Sequence, residues 1–490
     1  MSLGLGVPSL HFYLGIIMKF SNDFLFGAAT AAYQIEGAID IDGKGLSNWD
    51  EFVKIPGKTF EGTTGDVAID HYHRFKEDIK LMAEMGLESY RFSISWPRVI
   101  PNGVGEVNQK GIDFYNAVID ECLKYGIVPF VTLYHWDLPL PLERKGGWVN
   151  KETIDAFVNY ASVCFNAFGD RVKHFITFNE TVVFCGHGYL AGAHPPGIKD
   201  EPKQYFQATH NVFSAHAKAV LAYKELRQFG DIGLSHVFSP AFSVDDSAEN
   251  RWAEQHANQF GINWYYDPIL KGHYPEYVTE ILEKNGWMPE ILEDEKQALI
   301  KAAPLNDFIG LNYYQPVRVE KILGEAESVE HSRQNSTGAP GNPSFDGAYR
   351  TVAMADKRYT KWGWEISPEG FVDGLRLLKE YYGDVTMYIT ENGLGDEDPI
   401  IEGEICDIPR INFINDHLCA VKKAIDEGVN VKGYYAWSAI DLLSWLNGYK
   451  KQYGFIYVDH NNNLERKKKS SFHWYKDVID SRGENLNYPA

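Results

Sequence analysis

Eight short apolar segments, separated by longer helical patterns, constrain the fold of this 490-residue chain more than any other feature. The segments begin at Phe24, Ser89, Val128, His174, Ile232, Asp307, Met387 and Val431. Such alternation is typical of a parallel sheet whose strands are joined by crossover helices. The helical stretches 76–86 and 110–126 each end in glycine, as many helices do. We therefore predict an α/β fold, a single (β/α)8 TIM barrel with elaborated βα loops.

The composition does not change along the chain in a way that would mark a second domain, so residues 18–490 are predicted to form one barrel domain. Residues 1–17 are apolar but lack the basic region and cleavage site of a signal peptide, and they are too short and broken to span a bilayer. We interpret them as an N-terminal appendage. The stretch 323–357, rich in Gly, Ser, Asn and Pro, is predicted to be a rim loop after the sixth strand.

The charge balance excludes several classes of partner. With 47 basic and 67 acidic residues the net charge is -20, which disfavours a general surface for nucleic acid or for an anionic membrane. The five cysteines form no CxxC motif and are odd in number, as expected of reduced thiols in a cytoplasmic protein. The aromatic content of 14% fits either a large aromatic core or rings that stack on sugars.

Polar residues that end the apolar segments are the candidate site residues, because a TIM barrel places its active site at the carboxyl ends of its strands. Two of them are glutamates beside asparagines, Glu180 in HFITFNE and Glu391 in MYITENG. Either glutamate alone would be interpreted as a surface anion, but a facing pair of carboxylates is what glycoside hydrolysis needs. The other residues at these positions are Gln34, Arg91, His135, Trp136, Asp137, Asn179, Asn312, Tyr314, Asn392 and Trp437.

Five motifs in this order resemble glycoside hydrolase family 1. They are FLFGAATAAYQIEG (24–37), YRFSISWPRV (90–99), TFNE (177–180), FIGLNYY (308–314) and ITENG (389–393), and the resemblance runs from about Phe20 to Val478. It implies that Glu180 is the general acid/base and Glu391 the nucleophile of a retaining β-glycosidase. The two carboxyl groups are then expected to lie about 5 to 5.5 Å apart.

The remaining roles follow from these two. Arg91 and Tyr314 are expected to keep Glu391 ionised by charge and by a hydrogen bond. Sugar contacts are predicted for Gln34, His135, Asn179, Asn312, Trp364, Trp437 and Trp445. The mechanism needs no metal or cofactor, and we expect His71 and His73 to be packing residues rather than metal ligands.

The segment after the eighth strand indicates the kind of sugar. Family members that act on plain sugars carry an acidic residue in a DNFEW-like stretch, where this chain has Ser444. Ser444, Lys451 and Tyr453 match the phosphate-binding pattern of the family's 6-phospho-β-glycosidases. A carboxylate about 4 Å from a phosphate would be repelled by about 4 kcal/mol per charge pair at an effective dielectric of about 20, so loss of the acid favours a phosphorylated substrate. Lys450 is expected to point elsewhere, and the run 465–469 to be a solvated basic edge.

The identity of the sugar is less constrained. Trp445 resembles the galactoside-type enzymes, whereas Tyr134 and Trp136 in LYHWDLP resemble the glucoside-type members. We predict hydrolysis of both 6-phospho-β-glycosides with a slight galactoside preference. The alternatives are an ordinary β-glucosidase or β-galactosidase and, remotely, a non-catalytic sugar-phosphate binding protein, against which the two glutamates argue. We predict no nucleic-acid or membrane partner, and the sequence leaves open the aglycone and the oligomeric state, a homo-oligomer included.

Overall fold

The computed structural model describes residues 19–322, 344 and 347–487. Its centre is a closed barrel of eight parallel strands. The strands are β1 Leu25–Ala29, β2 Ser89–Ser93, β3 Val128–Tyr134, β4 His174–Asn179, β5 Asp231–Val237, β6 Phe308–Asn312, β7 Met387–Asn392 and β8 Val431–Trp437. Around the barrel they follow the order β1-β8-β7-β6-β5-β4-β3-β2. Each of the eight predicted segments supplies one of these strands, which confirms the predicted barrel.

The barrel strands are apolar along most of their length because they are buried on both faces. Inside the barrel, Phe130 packs edge-on against Phe308, Tyr388 and Tyr435, with ring centroids 5.2 to 5.4 Å apart. A small residue makes room for one of these rings, since a Cβ on Gly27 would lie 2.4 Å from the Tyr435 ring. The barrel is therefore a packed core and the site must lie at its end.

Helices surround the barrel, as the alternation of patterns predicts. They are Ala32–Ile35, Asn48–Phe52, His71–Glu84, Trp96–Val99, Gln109–Lys124, Leu140–Glu143, Glu152–Phe168, Thr181–Tyr189, Pro202–Glu225, Ala248–Asn258, Trp264–Leu270, Glu276–Asn285, Glu293–Ala302, Pro368–Tyr382, Ile408–Asp426 and Ser470–Asp480. Short 3-10 turns occur at Phe60–Gly62, Gly147–Val149 and Ala303–Leu305, and a π turn at Gln259–Asn263. In the parts of the chain that the structure describes, no helix combines the length and apolar character needed to cross a membrane.

Short strands decorate the rim. Ala241–Ser243, Val317–Lys321 and Tyr349–Thr351 form one sheet, Ile400–Ile401 pairs with Glu404–Ile405, and Ile456–Asp459 pairs with Glu465–Lys468. The predicted rim loop 323–357 is therefore wrong near its end, where Tyr349–Thr351 pairs antiparallel with Val317–Lys321. A tyrosine and a threonine favour such a strand. Most of that stretch, like the predicted appendage 1–17, lies outside the described residues.

The basic run 465–469 is a second correction. Arg466 pairs with Asp78 at 2.7 Å, and Lys469 pairs with Asp441 at 2.7 Å. Both basic side chains are almost fully buried. The expectation of a solvated edge is wrong for these two residues, because buried carboxylates distant in sequence neutralise them.

Candidate active site

A cavity opens at the carboxyl end of the barrel strands. It gathers most of the residues that the sequence singles out. The predicted residues that line it are Gln34, His135, Trp136, Glu180, Tyr314, Trp364, Glu391, Trp437, Ser444, Trp445, Lys451 and Tyr453. Side chains from six of the eight strand ends, or the loops that follow them, therefore meet at one point.

The two glutamates reach the cavity from opposite sides of a strand pair. Glu180 follows β4 directly, with its backbone N–H donating to Ser235 O at 2.8 Å and a left-handed φ of 53°. Glu391 lies in β7 opposite Asn312 of β6. The Asn312 amide donates to Glu180 Oε1 at 2.8 Å. The backbone at Glu180 is strained, which is common where a functional side chain must be aimed.

Glu391 has the two contacts predicted for it. Arg91 Nη1 donates to Glu391 Oε1 at 2.8 Å, and the Tyr314 hydroxyl donates to Oε2 at 2.8 Å. Both carboxylate oxygens are therefore held by donors, one of them charged. These contacts fix the orientation of the carboxylate and favour its ionised form.

The electrostatics assign the shared proton to Glu180. Burial, and then the negative charge of Glu391, raise the pKa of Glu180 to about 8. Burial also raises the pKa of Glu391, but the Arg91 guanidinium and the Tyr314 hydroxyl oppose that rise. The two carboxyl groups titrate as a pair, in which Glu391 is the anion and Glu180 the acid near neutral pH. Their separation of about 5 to 5.5 Å stays a prediction.

Asn179 and Asn312 lie behind the cavity wall rather than in it. Asn179 Oδ1 accepts from Arg91 at 2.7 Å and from Asn312 at 2.9 Å. Asn312 Oδ1 in turn accepts from Ser235 at 2.9 Å and Thr390 at 2.7 Å. Neither asparagine is among the cavity-lining residues, so their predicted sugar contacts stay predictions. Their side-chain amides link residues of five strands, β2, β4, β5, β6 and β7.

His135 and Gln34 present unused polar atoms in the same cavity. Asn179 Nδ2 donates to His135 Nε2 at 3.1 Å, which places the imidazole proton on Nδ1. Burial lowers the pKa of His135 well below its ordinary value, so the ring is neutral. His135 Nδ1 and Gln34 Oε1 are buried without a hydrogen-bond partner in the described residues. A donor and an acceptor are thus free to meet hydroxyl groups, beside the Trp437 ring that stacks on His135.

Two tryptophans whose sequence patterns indicate different sugar types, Trp136 and Trp445, are in contact. The Trp445 and Trp136 rings lie 4.8 Å apart, and Trp445 also stacks on Tyr33 with an interplanar angle of 5°. Tyr134, by contrast, lies behind the site, where its hydroxyl accepts from Trp148 Nε1 at 3.1 Å. Trp136 and Trp445 therefore form one wall, and Tyr134 does not line the cavity.

Ser444, Lys451 and Tyr453 occupy one side of the cavity. Ser444 is held by its own turn, with its N–H donating to Gly448 O at 2.9 Å, and its hydroxyl lies within hydrogen-bond reach of Tyr453. Lys451 is buried and makes no ion pair with a described residue, and burial lowers its pKa to about 7. Lys450 is exposed and pairs with Glu397 at 3.2 Å, pointing away as expected.

Some lining residues escaped the sequence analysis. Val183 and His187 lie one turn apart on helix Thr181–Tyr189, which begins directly after Glu180, and His194 follows in the next loop. Their i, i+4 spacing immediately after a predicted catalytic residue could have indicated them. Burial lowers the pKa of His187 to about 4, so this side of the cavity is neutral. The others are Val237, Ser239, Gln315, Leu446 and Asn447.

The histidines near the start of the third helix have structural partners. His71 Nδ1 lies 2.7 Å from Asp78 in the interior, and the exposed His73 lies 2.6 Å from Asp70. Across residues 19–322 and 347–487 no group of three or more histidine, cysteine or acidic side chains is arranged to hold a metal ion.

Comparison with known proteins agrees with this geometry. Residues 17–484 match the model of glycosyl hydrolase family 1. The chain is 45% identical to aryl-phospho-beta-D-glucosidase BglC of Bacillus subtilis, over 96% of this chain and 98% of the relative. It is 43% identical to a 6-phospho-beta-galactosidase of Clostridium acetobutylicum, over 94% and 97%. A family 1 beta-glucosidase structure from Thermotoga maritima superimposes with a TM-score of 0.86 at 41% identity, covering 95% of this chain and 99% of that one. The chain belongs to glycosyl hydrolase family 1.

Proposed function

We propose that the protein hydrolyses 6-phospho-β-glycosides by double displacement, releasing a sugar 6-phosphate and an aglycone or sugar. The observation that carries this proposal is the amine of Lys451, which is buried in the same cavity as Glu180 and Glu391 and has no ion-pair partner among the described residues. Ser444 and Tyr453 add hydroxyl donors beside it. Charge-assisted bonds of this kind suit a phosphate better than a neutral hydroxyl.

The two glutamates account for the chemistry. Glu391, oriented by Arg91 and Tyr314, attacks the anomeric carbon while Glu180 gives its proton to the leaving oxygen. Formation of the glycosyl ester removes the charge of Glu391, so the pKa of Glu180 falls and its carboxylate can take a proton from a water molecule, whose oxygen bonds to the anomeric carbon. The bond from sugar to Glu391 then breaks, and the starting protonation states return.

The names of the relatives support the substrate class without fixing the sugar. Two of them carry opposite sugar assignments, a phospho-glucosidase and a phospho-galactosidase, at 45% and 43% identity. Trp445, which resembles the galactoside-type enzymes, and Trp136, which resembles the glucoside-type members, contact each other in the same cavity wall. We expect activity on both sugars, with a slight galactoside preference.

The deciding experiment compares aryl β-glucosides and β-galactosides with and without a 6-phosphate. We expect kcat/KM to be higher for the phosphorylated member of each pair. Equal or higher kcat/KM for the plain sugar would reject the proposal and favour an ordinary β-glucosidase. This second candidate is supported by the similarity to the Thermotoga maritima beta-glucosidase structure at 41% identity.

A cytoplasmic location is part of the proposal. The five cysteines are unpaired thiols, four of them buried, as expected in a reducing compartment. Phosphorylated sugars delivered by a phosphorylating transporter would reach the protein there.

A further inference from the structure

The surroundings of Lys451 are aromatic rather than acidic. Its Nζ lies 3.8 Å from the ring centroid of Trp364, 4.8 Å from that of Trp362 and 5.3 Å from that of Tyr453. The backbone at Gly395 packs closely against the Lys451 side chain, since a Cβ there would lie 2.4 Å from Lys451 Cε. Three rings and a glycine thus pack around the side chain, and the amine has no ion-pair partner among the described residues.

The two tryptophans are held by a turn of their own. Thr360 Oγ1 accepts from the backbone N–H groups of Trp362 and Trp364, both at 3.2 Å. Thr360 N donates to Trp364 O at 2.8 Å, and Gly363 has a φ of 75° that the turn requires. The rings are therefore presented to Lys451 by local backbone structure.

The acidic groups around Lys451 are already paired with other cations. The pairs are Lys361 with Asp396, Lys450 with Glu397, Arg410 and Lys469 with Asp398, Lys469 with Asp441, Arg318 with Glu365 and Arg91 with Glu391. Glu180, the remaining acidic group of the cavity, carries the shared proton near neutral pH. The carboxylates of the segments around Lys451 are therefore neutralised by other cations or by a proton, and none of them is paired with Lys451.

Building on the phosphate-binding role proposed above, we propose that Trp362 and Trp364 are positioning residues that hold Lys451 as a buried amine with no counter-ion among the described residues, so that the substrate's phosphate enters together with one proton from solvent. In the free protein the amine is buried, and burial disfavours its charge. The aromatic faces offset part of that penalty and fix where Nζ stands. A phosphate dianion supplies the missing counter-ion, and Lys451 then binds the proton as an ammonium.

The direct test is calorimetry of glucose 6-phosphate binding in buffers of different ionisation enthalpy. With the Lys451 pKa at about 7, we expect uptake of about 0.9 proton per ligand at about pH 8. The ligand contributes little there, because its second phosphate pKa is about 6. Lys451→Arg is the control, because the arginine is already charged in the free protein and should take up almost no proton when the ligand binds. Any proton uptake that remains in this variant comes from other groups such as Glu180.

Trp362 provides the cleaner variant because, unlike Trp364, it does not line the cavity. Trp362→Leu should admit water to Lys451, lower the proton uptake and raise KM for a 6-phosphorylated aryl glycoside by about 10-fold, with kcat little changed. The unphosphorylated glycoside should be unaffected, and Trp362→Phe should restore most of the loss. Lys450→Met is the matched control and should behave like the wild type.

Three outcomes would overturn the inference: a wild-type heat that is independent of buffer, a KM that rises equally for both glycosides in Trp362→Leu, or an uptake unchanged by that substitution. Failure of the proposed function looks different, because the wild type would then show no preference for the phosphorylated glycoside. A phosphate preference with buffer-independent heat rejects the proton linkage alone.

Discussion

At the scale of single residues, the site depends on two glutamates that differ only in their neighbours. Glu391 faces a guanidinium and a phenol, while Glu180 faces an amide and the charge of Glu391. The same side chain thus serves as an anion in one position and as an acid in the other.

Glu391→Gln should lower kcat by about 10⁴-fold or more, since the amide cannot form the glycosyl ester. It should also lower the pKa of Glu180 from about 8, because the neighbouring negative charge is lost. Steady-state kinetics and carboxyl carbon NMR would measure the two effects. A variant that keeps wild-type turnover would remove Glu391 from the nucleophile role.

The pH profile provides a second test at this scale. With Glu180 as the proposed general acid, its protonated form is lost as the pH rises through about 8, so kcat/KM should fall on the alkaline side. Glu180→Gln should abolish that limb with an aryl glycoside whose leaving group needs no protonation. If the limb persists in this variant, another group causes it, and Lys451 is the first to examine.

At the scale of elements, the strands were predictable and the loops less so. The ends of β4 and β7 carry Glu180 and Glu391 because an apolar segment followed by a polar residue marks both a strand and its functional end. Trp362 gives no such indication, since its turn lies far along the chain from Lys451 and only the tertiary fold brings them together. The burial of Arg466 and Lys469 was not predictable for the same reason, because their carboxylate partners are distant in sequence.

The segment after β8 supports the next prediction. Ser444→Glu would place a carboxylate beside the proposed phosphate position and give Lys451 a permanent partner. Repulsion of about 4 kcal/mol corresponds to a fall of about 10³-fold in kcat/KM for the phosphorylated glycoside. The unphosphorylated glycoside should not suffer this loss.

Ser444→Ala is the control for that substitution. It removes one hydroxyl without adding charge, so the loss should be about 10-fold or less. Equal losses on both substrates in Ser444→Glu would indicate that the substitution distorts the cavity rather than repelling a phosphate. Kinetics on the matched pair of glycosides distinguishes these outcomes.

At the scale of the whole molecule, the barrel topology follows from the count and order of the apolar segments. The pairing of the buried charges does not follow from them. The closed order of β1 to β8 is the arrangement that eight alternating units favour. Buried cations are neutralised by partners that are distant in sequence, as in the pair of Arg91 with Glu391, whose members are 300 residues apart. A buried lysine left without such a partner reduces the stability of the folded state.

The last prediction concerns that stability. Lys451→Met should raise the thermal midpoint of the free protein by at least about 1 °C near neutral pH, because an amine whose pKa is lowered to about 7 is replaced by an apolar side chain of similar length. The unfolded lysine binds a proton up to about pH 10, so the wild type gains stability as the pH rises above about 7, and the difference between variant and wild type should narrow towards about pH 9.5. Calorimetric scans at both pH values measure this, with Lys450→Met as the control that should leave the midpoint nearly unchanged. If Lys451→Met is less stable than the wild type at both pH values, the aromatic contacts of Lys451 stabilise the folded state by more than the burial of its amine destabilises it. In either case, adding glucose 6-phosphate should raise the thermal midpoint of the wild type more than that of Lys451→Met.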